Sequence, residues 1–277
     1  GEIVAAAGRG EGRFGRFGRG CDLRPGLGIC SERRGPCHLR LGHRREVALD
    51  DLRPARRNFY GRIRGKTLRA SQKDYLAEDL GPVTLNGVTR AENPARGLVD
   101  LEPWRQARPL WLEIGFGGGE HLVHMAARNP DVALIGAEPF VNGIAMLLGK
   151  IRTAGVSNLR IHPGDVRDLF EVLGPASVSK VFLNYPDPWP KARHHRRRVV
   201  TQEYLLPLAR ITAAGSEFRV ATDIPDYVRQ TLEEVPQAGF ELIHQGSTPW
   251  QDWLSTRYEQ KALREGRPPH YMTFRRL

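Results

Sequence analysis

The chain has 277 residues, 40% of them hydrophobic, with a formal net charge of +11 and a sequence pI of about 10.0. That is enough apolar material for a large α/β domain without disulfides or metals as staples, and the excess of base points to a polyanionic partner. No apolar run reaches the length of a membrane-spanning helix, so no membrane partner is expected.

The first 56 residues stand apart. They hold 12 arginines, no lysine, 7 acids and 11 of the 30 glycines, with almost no aromatic or β-branched content. Such a segment cannot bury enough surface to offset its ordering entropy, so residues 1–56 are expected to be a disordered Arg/Gly-rich extension. Within it, GRGEGRFGRFGRG (residues 8–20) resembles segments that bind RNA loosely through charge and stacking. The interspersed acids and the lack of a sustained repeat favour a dispensable extension instead. All three cysteines, Cys21, Cys30 and Cys37, lie here at a spacing that fits no zinc site. Free thiols, no metal and a cytoplasmic location without structural disulfides are the expectation. The opening residues fit neither a signal peptide nor a transit peptide.

Order is expected to begin near Phe59, giving a domain over residues 57–277. A short basic arm, RIRGK, leads into a helix over 71–80 with Ser71 as its N-cap. Residues 85–109 are broken by Gly and Pro and are expected to form a surface excursion. From Leu110 apolar strands alternate with amphipathic helices: strands over 110–114, 132–137, 159–162, 180–183 and 217–221, helices over 121–128, 144–153, 204–212 and 227–235. Two last strands, 240–244 and 271–275, flank a helix around 257–265. The alternation predicts a parallel sheet with helices on both faces.

Polar groups fall at the ends of these strands in a set order. Glu113, the loop Gly115-Phe116-Gly117-Gly118-Gly119, Glu138, Asp165, Asp187 and Asp223 sit in or just beyond five successive strands. In an open α/β sheet the crevice outside the carboxyl ends of the strands is where ligands bind, so these groups are expected on one rim. Gly115, Gly117 and Gly119 let the backbone pass close under a ligand, and Glu138, 21 residues after Gly117, is placed to accept hydrogen bonds from ribose hydroxyls. Either a dinucleotide or S-adenosylmethionine fits that pair. Glu120 stands where a dinucleotide loop has its third glycine, and a carboxylate there is poor company for a pyrophosphate. S-adenosylmethionine carries no phosphate, and acids at Glu113 and Glu138, with Asp165 for the adenine amino group, suit it better.

Residues 184–198, NYPDPWPKARHHRRR, join a proline-stiffened polar and aromatic turn to a run with five fixed positive charges and two histidines in eight residues. A rigid turn joined to a cationic run suits chemistry done next to a phosphate backbone. The motifs LEIGFGGG, PGD, YPDPWPK with RHHRRR, ATDIPDY and TRYEQKALREG resemble those of the bacterial tRNA (guanine-N7)-methyltransferases, from about Phe59 onward. Residues 1–56 match nothing in that pattern.

The resemblance implies a Rossmann-like α/β fold of the S-adenosylmethionine-dependent methyltransferases, with a seven-stranded, mostly parallel sheet and helices on both faces. It implies S-adenosylmethionine as methyl donor and a guanine of the tRNA variable loop as acceptor. It sets the donor against Glu113, Glu138, Asp165 and Asp187, with the glycines 115, 117 and 119, and makes Asp187 the catalytic candidate. Substrate contacts fall to Lys191, Asp223 and the turn Thr256, Arg257, Tyr258 and Glu259. Arg193, His194, Arg196, Arg197 and Arg198 are expected to touch RNA, and Asn184, Tyr185 and Trp189 to stack on or hydrogen-bond to the purine. The chain is expected to act as a monomer or weak homodimer. Three other readings remain: methylation of an exocyclic base amine, tRNA binding with an inactive cofactor pocket, and an NAD-dependent enzyme, the last disfavoured by Glu120.

Overall fold

In a computed structural model, residues 60–277 are described. The Arg/Gly-rich extension, its three cysteines and the RNA-binding segment considered within it lie outside the described residues.

The parallel part of the sheet is built as the sequence pattern predicts. Strands β1 (Leu110–Ile114), β2 (Ala133–Ala137), β3 (Leu159–His162), β4 (Val178–Asn184) and β5 (Thr212–Thr222) are parallel, and β6 (Phe240–Gly246) and β7 (His270–Arg276) complete seven. The order is β3-β2-β1-β4-β5-β7-β6, with β7 antiparallel to both its neighbours. The seven-stranded, mostly parallel sheet of the expected Rossmann-like class is therefore present. Register aligns the carboxyl ends: Ile114 pairs with Ala137 and Leu183, Ala137 with His162, and Leu183 with Val220. The residues just beyond them share one rim.

Period-two alternation divides the side chains of β1 and β4 between two cores. Leu110, Leu112, Ile114, Val181 and Leu183 pack with α6 (Val166–Val172), α7 (Gln202–Ile211) and α8 (Pro225–Gln237). Phe182 and Leu134 pack on the other face with α4 (Glu120–Arg128), α5 (Val141–Ala154) and Tyr75 of α1 (Ala70–Glu78). The sheet is thus covered on both faces, as its near-continuous apolar strands require.

Several local expectations change. α1 begins one residue early, with Arg69 and not Ser71 at the N-cap, because Gln72 Oε1 reaches back 3.0 Å to the Arg69 N–H. The excursion over 85–109 is anchored as well as exposed. It follows a short α2 (Leu80–Val83) and holds α3 (Glu102–Arg105), and Leu85, Val88 and Leu101 are buried in the core. α6 has no counterpart among the expected helices; Asp165 is its N-cap, accepting from the Arg167 N–H at 2.9 Å. The basic run, for which the sequence assigns no element, forms a 3₁₀ helix over Ala192–Arg197. The remaining helix, α9 (Arg257–Arg264), starts as the sequence indicates, with Thr256 capping the Glu259 N–H at 3.3 Å.

Candidate functional site

A cavity of about 570 Å³ opens on the rim, a volume in the ordinary range for small-molecule sites. Its floor is the glycine loop and the ends of β1, β2 and β4; its walls come from the segment after β3, the turn after β4 and the start of α9. Arg62 of the basic arm and the preceding Tyr60 and Gly61 also line it. The arm is held there by the Val141 N–H, which donates to Ile63 O at 2.9 Å, and by Asn142, which bridges the Gly65 N–H and Lys66 O at 2.7 Å each.

The glycine loop has the geometry that excludes side chains. Gly117 and Gly119 have φ of 54° and 75°, and a Cβ at Gly119 would lie inside the Leu147 side chain. Gly117 also donates its N–H to Glu138 Oε2 at 2.8 Å, while Phe140 donates to Glu138 Oε1 at 2.9 Å. Glu138 is 8% exposed, and burial pushes its carboxyl up to about 7 against the pull of those two N–H groups; the charges of Asp187 and Glu113 push the same way.

Asp165, also lining the cavity, is held from behind by Arg167. Its Oδ1 lies 3.1 Å from Arg167 Nε and its Oδ2 2.6 Å from Nη2, while Arg167 Nη1 reaches Glu203 at 2.5 Å and the guanidinium lies over Tyr204. Arg167 and Tyr204 are the functional neighbours that sequence reasoning missed. The available signal was Asp165 as an N-cap ahead of VRDLFEV.

Asp187 is at the cavity mouth, open to solvent on one side and walled by protein on the other. That partial enclosure raises its carboxyl above the usual range, and the charge of Arg62 opposes the shift. The turn that carries Asp187 is bent hard: Tyr185 and Trp189 both take positive φ, 49° and 39°, and both line the cavity. Non-glycine residues held in this region cost of order 1–3 kcal/mol each and cluster at functional sites.

Several expected site residues are elsewhere. Glu113 and Asn184 fall on the α4 side of the sheet by strand alternation and do not line the cavity. Glu113 Oε2 lies 2.8 Å from His121 Nδ1, and Asn184 Nδ2 lies 3.2 Å from the same nitrogen. Asp223, beyond β5, is outside the cavity lining and pairs with Arg267 Nε at 2.5 Å. In the turn before and into α9 only Tyr258 lines the cavity. Thr256 is spent on capping, and Arg257 pairs with Glu120. Glu259 is 4% exposed and accepts from Trp253 Nε1 at 2.9 Å, Tyr185 Oη at 3.3 Å and Tyr271 Oη.

The 3₁₀ helix sorts the basic run into three faces, since residues three apart eclipse at three residues per turn. His194 and Arg197 share the face toward Trp189: His194 meets Trp189 edge-on at 5.9 Å, and the Arg197 guanidinium, which lines the cavity, lies 4.5 Å from the Tyr60 ring and 4.9 Å from Trp189. His195 and Arg198 turn inward to Asp226, at 3.1 and 2.9 Å. Arg193 and Arg196, with Lys191 just before the helix, are exposed.

The expectation that Arg198 touches RNA is therefore corrected. It is 1% exposed and donates to Pro188 O, Trp189 O, Asp226 and Gln230, with its guanidinium over Tyr227. Its charge serves the turn that presents Asp187.

No helix among the described residues is long and apolar enough to cross a membrane. Residues 107–272 match the protein-family model described as "Putative methyltransferase". The chain is 74% identical over 223 residues to a tRNA (guanine-N(7)-)-methyltransferase of Cereibacter sphaeroides, covering 80% of this chain and 92% of that protein. It is 68% identical to the protein of the same name from Paracoccus denitrificans, covering 82% and 97%, and 66% identical to that of Ruegeria pomeroyi, covering 80% and 95%.

Proposed function

The chain belongs to the tRNA (guanine-N(7)-)-methyltransferase family, and from that premise we propose that it methylates N7 of a guanine in the variable loop of tRNA, with S-adenosylmethionine as donor. In this reading residues 57–277 are the methyltransferase domain and residues 1–56 a dispensable extension. The enzyme works in the cytoplasm as a monomer or weak homodimer.

The observation that carries the reading is the joining of two chemistries in one cavity. Glu138, Asp165, Gly115 and Gly117 line it, and Asp187 stands at its mouth. The residues fit the donor. A cavity of about 570 Å³ floored by glycines of positive φ admits a nucleoside without Cβ interference, and its buried carboxylates suit ribose hydroxyls and an adenine amino group. Glu138 and Asp165 would hold it, with the backbone of Gly115 and Gly117 beneath. When bound, S-adenosylmethionine supplies a methyl group on a cationic sulfur.

Guanine N7 presents a bare lone pair, so the attacking atom needs no base. The protein's task is to align the acceptor and to stabilise the positive charge that develops on the purine. Asp187 is placed to do this by accepting hydrogen bonds from the guanine N–H edge, with Tyr185 and Trp189 offering stacking surfaces at the same mouth. Arg193, Arg196 and Lys191, exposed beside it, hold phosphates of the loop; Arg197 lines the cavity and His194 meets Trp189. Glu113 and Asp223 act at one remove, through the His121 and Arg267 they bind.

The test is methyl transfer to bulk tRNA followed by chemical cleavage at N7-methylguanosine. Cleavage within the variable loop is expected; methyl on an exocyclic amine, or none, overturns the proposal. Asp187→Asn should lower turnover by roughly 100-fold or more with tRNA binding retained, as expected when one charge-stabilising group is removed.

A further inference from the structure

One cluster beside the cavity has no part in the function above. Glu120, the first residue of α4, directly follows the glycine loop. Its Oε1 lies 3.3 Å from Lys150 Nζ on α5 and 3.1 Å from Arg257 Nε on α9, and Arg257 Nη2 bonds to the same oxygen. Lys150 Nζ also donates to Gly118 O at 2.8 Å, and Arg257 Nη1 lies 3.3 Å from Met146 Sδ. The guanidinium occupies the space where Gly118 lacks a side chain. The next residue, Tyr258, covers Gly117, where a Cβ would come within 3.1 Å of Tyr258 Cε2. Tyr258 lines the cavity with Gly117 and Glu138, yet it is 46% exposed. Little packs on its outer side to hold it. Partial burial alone would raise the Glu120 carboxyl, but the bond from Arg257 and the charge of Lys150 outweigh it, so the group stays ionised and paired.

We propose that Glu120 is a positioning residue of the methyl-donor site: by holding Arg257 against the glycine loop, with Lys150, it fixes Tyr258 as the outer wall of the cavity over Gly117 and Glu138. The inference rests on the reading that this cavity takes S-adenosylmethionine. It assigns the start of α9 a donor-side duty besides any contact with tRNA. Because Asp187 belongs to a different turn, losing the latch weakens donor binding and leaves the chemical step at saturating donor nearly unchanged. Freeing Arg257 also leaves an unpaired cation beside a site for a cationic ligand, which adds to the loss.

Calorimetric titration with S-adenosylmethionine of wild type, Glu120→Gln, Arg257→Met and the double variant tests this, with steady-state kinetics of Glu120→Gln alongside. Each single change should weaken binding by ~5–10-fold, and the double variant should bind no more weakly than either single, the mark of a shared interaction. KM for the donor should rise in Glu120→Gln while kcat stays within about twofold. Glu120 is part-exposed and Gln is its isostere, so melting temperature should hold; Lys150→Met, which leaves Arg257 paired, gives a second variant expected to weaken binding less. Wild-type binding with unaffected singles, multiplying losses in the double variant, or a fall of kcat in proportion to affinity overturns the inference alone. A silent titration of folded wild type overturns the donor reading and this inference with it.

Discussion

The acids around the cavity and the bases of residues 191–198 are both sets of like charge gathered on one rim, yet the fold treats them in opposite ways. Glu138 and Asp165 are buried, and each is held by donors from its own immediate neighbourhood: backbone N–H groups for Glu138, Arg167 for Asp165. The bases are divided by a 3₁₀ turn into a pair held by Asp226, a pair against Trp189 and an outward pair. Position in a strand-end loop fixes the environment of the acids; position modulo three fixes that of the bases. Charge density in a sequence therefore says less about a residue's task than the period of the backbone that carries it.

The comparison is most sharply tested at Arg198. Arg198→Met leaves Gln230 and the carbonyls of Pro188 and Trp189 without their buried donor, and should lower stability by roughly 3 kcal/mol in denaturant unfolding. Asp226 is part-exposed and can be rehydrated, which limits the loss. Wild-type stability in this variant would break the inward face of the turn.

Glu138 gives the next largest effect. Its folded carboxyl titrates near 7 against an ordinary 4.5, so between these values the folded state keeps a proton that the unfolded state has lost. Stability of the ligand-free protein therefore falls as pH rises through that window. Donor ribose hydroxyls need the ionised carboxylate, so S-adenosylmethionine affinity should rise ~10-fold from pH 6 to pH 8, and Glu138→Gln should flatten the profile. A flat wild-type profile removes Glu138 from the donor contacts.

The outward pair should show the smallest change. Arg193→Ala or Arg196→Ala should leave stability within ~0.5 kcal/mol of wild type. Each should weaken tRNA binding several-fold and reduce the slope of log K against log salt by about 1. Equal behaviour of Arg196→Ala and Arg198→Met in both assays would erase the distinction between the faces.

Much of this was legible from residue order. Short apolar runs located the strands, the parallel ones ended by Gly, Pro or an acid, and the acids at their ends predicted the rim. Glu138 and Asp165 were found because a residue just past a strand end is placed on the rim whatever its side chain does next. Glu113 and Asn184 lie inside strands, where alternation decides the face, and a one-residue difference from Ile114 or Tyr185 moved them to the His121 side. α6 escaped because seven residues hold too few turns to show a period. Arg198 escaped because nothing in RHHRRR marks which arginine will find Asp226, a residue 28 positions away.

The insertion of β7 between β5 and β6 has a consequence for how the protein is made. On a ribosome β6 emerges with no partner strand and must wait for residues 270–276 before it can pair at all. In that interval Leu242 and Ile243, which remain exposed even when the sheet is complete, sit on an open strand edge. The nascent chain thus passes through a stage in which its parallel half can be set while its antiparallel half is vulnerable to pairing with a neighbour, and the window lasts until residues 270–276 are free of the ribosome.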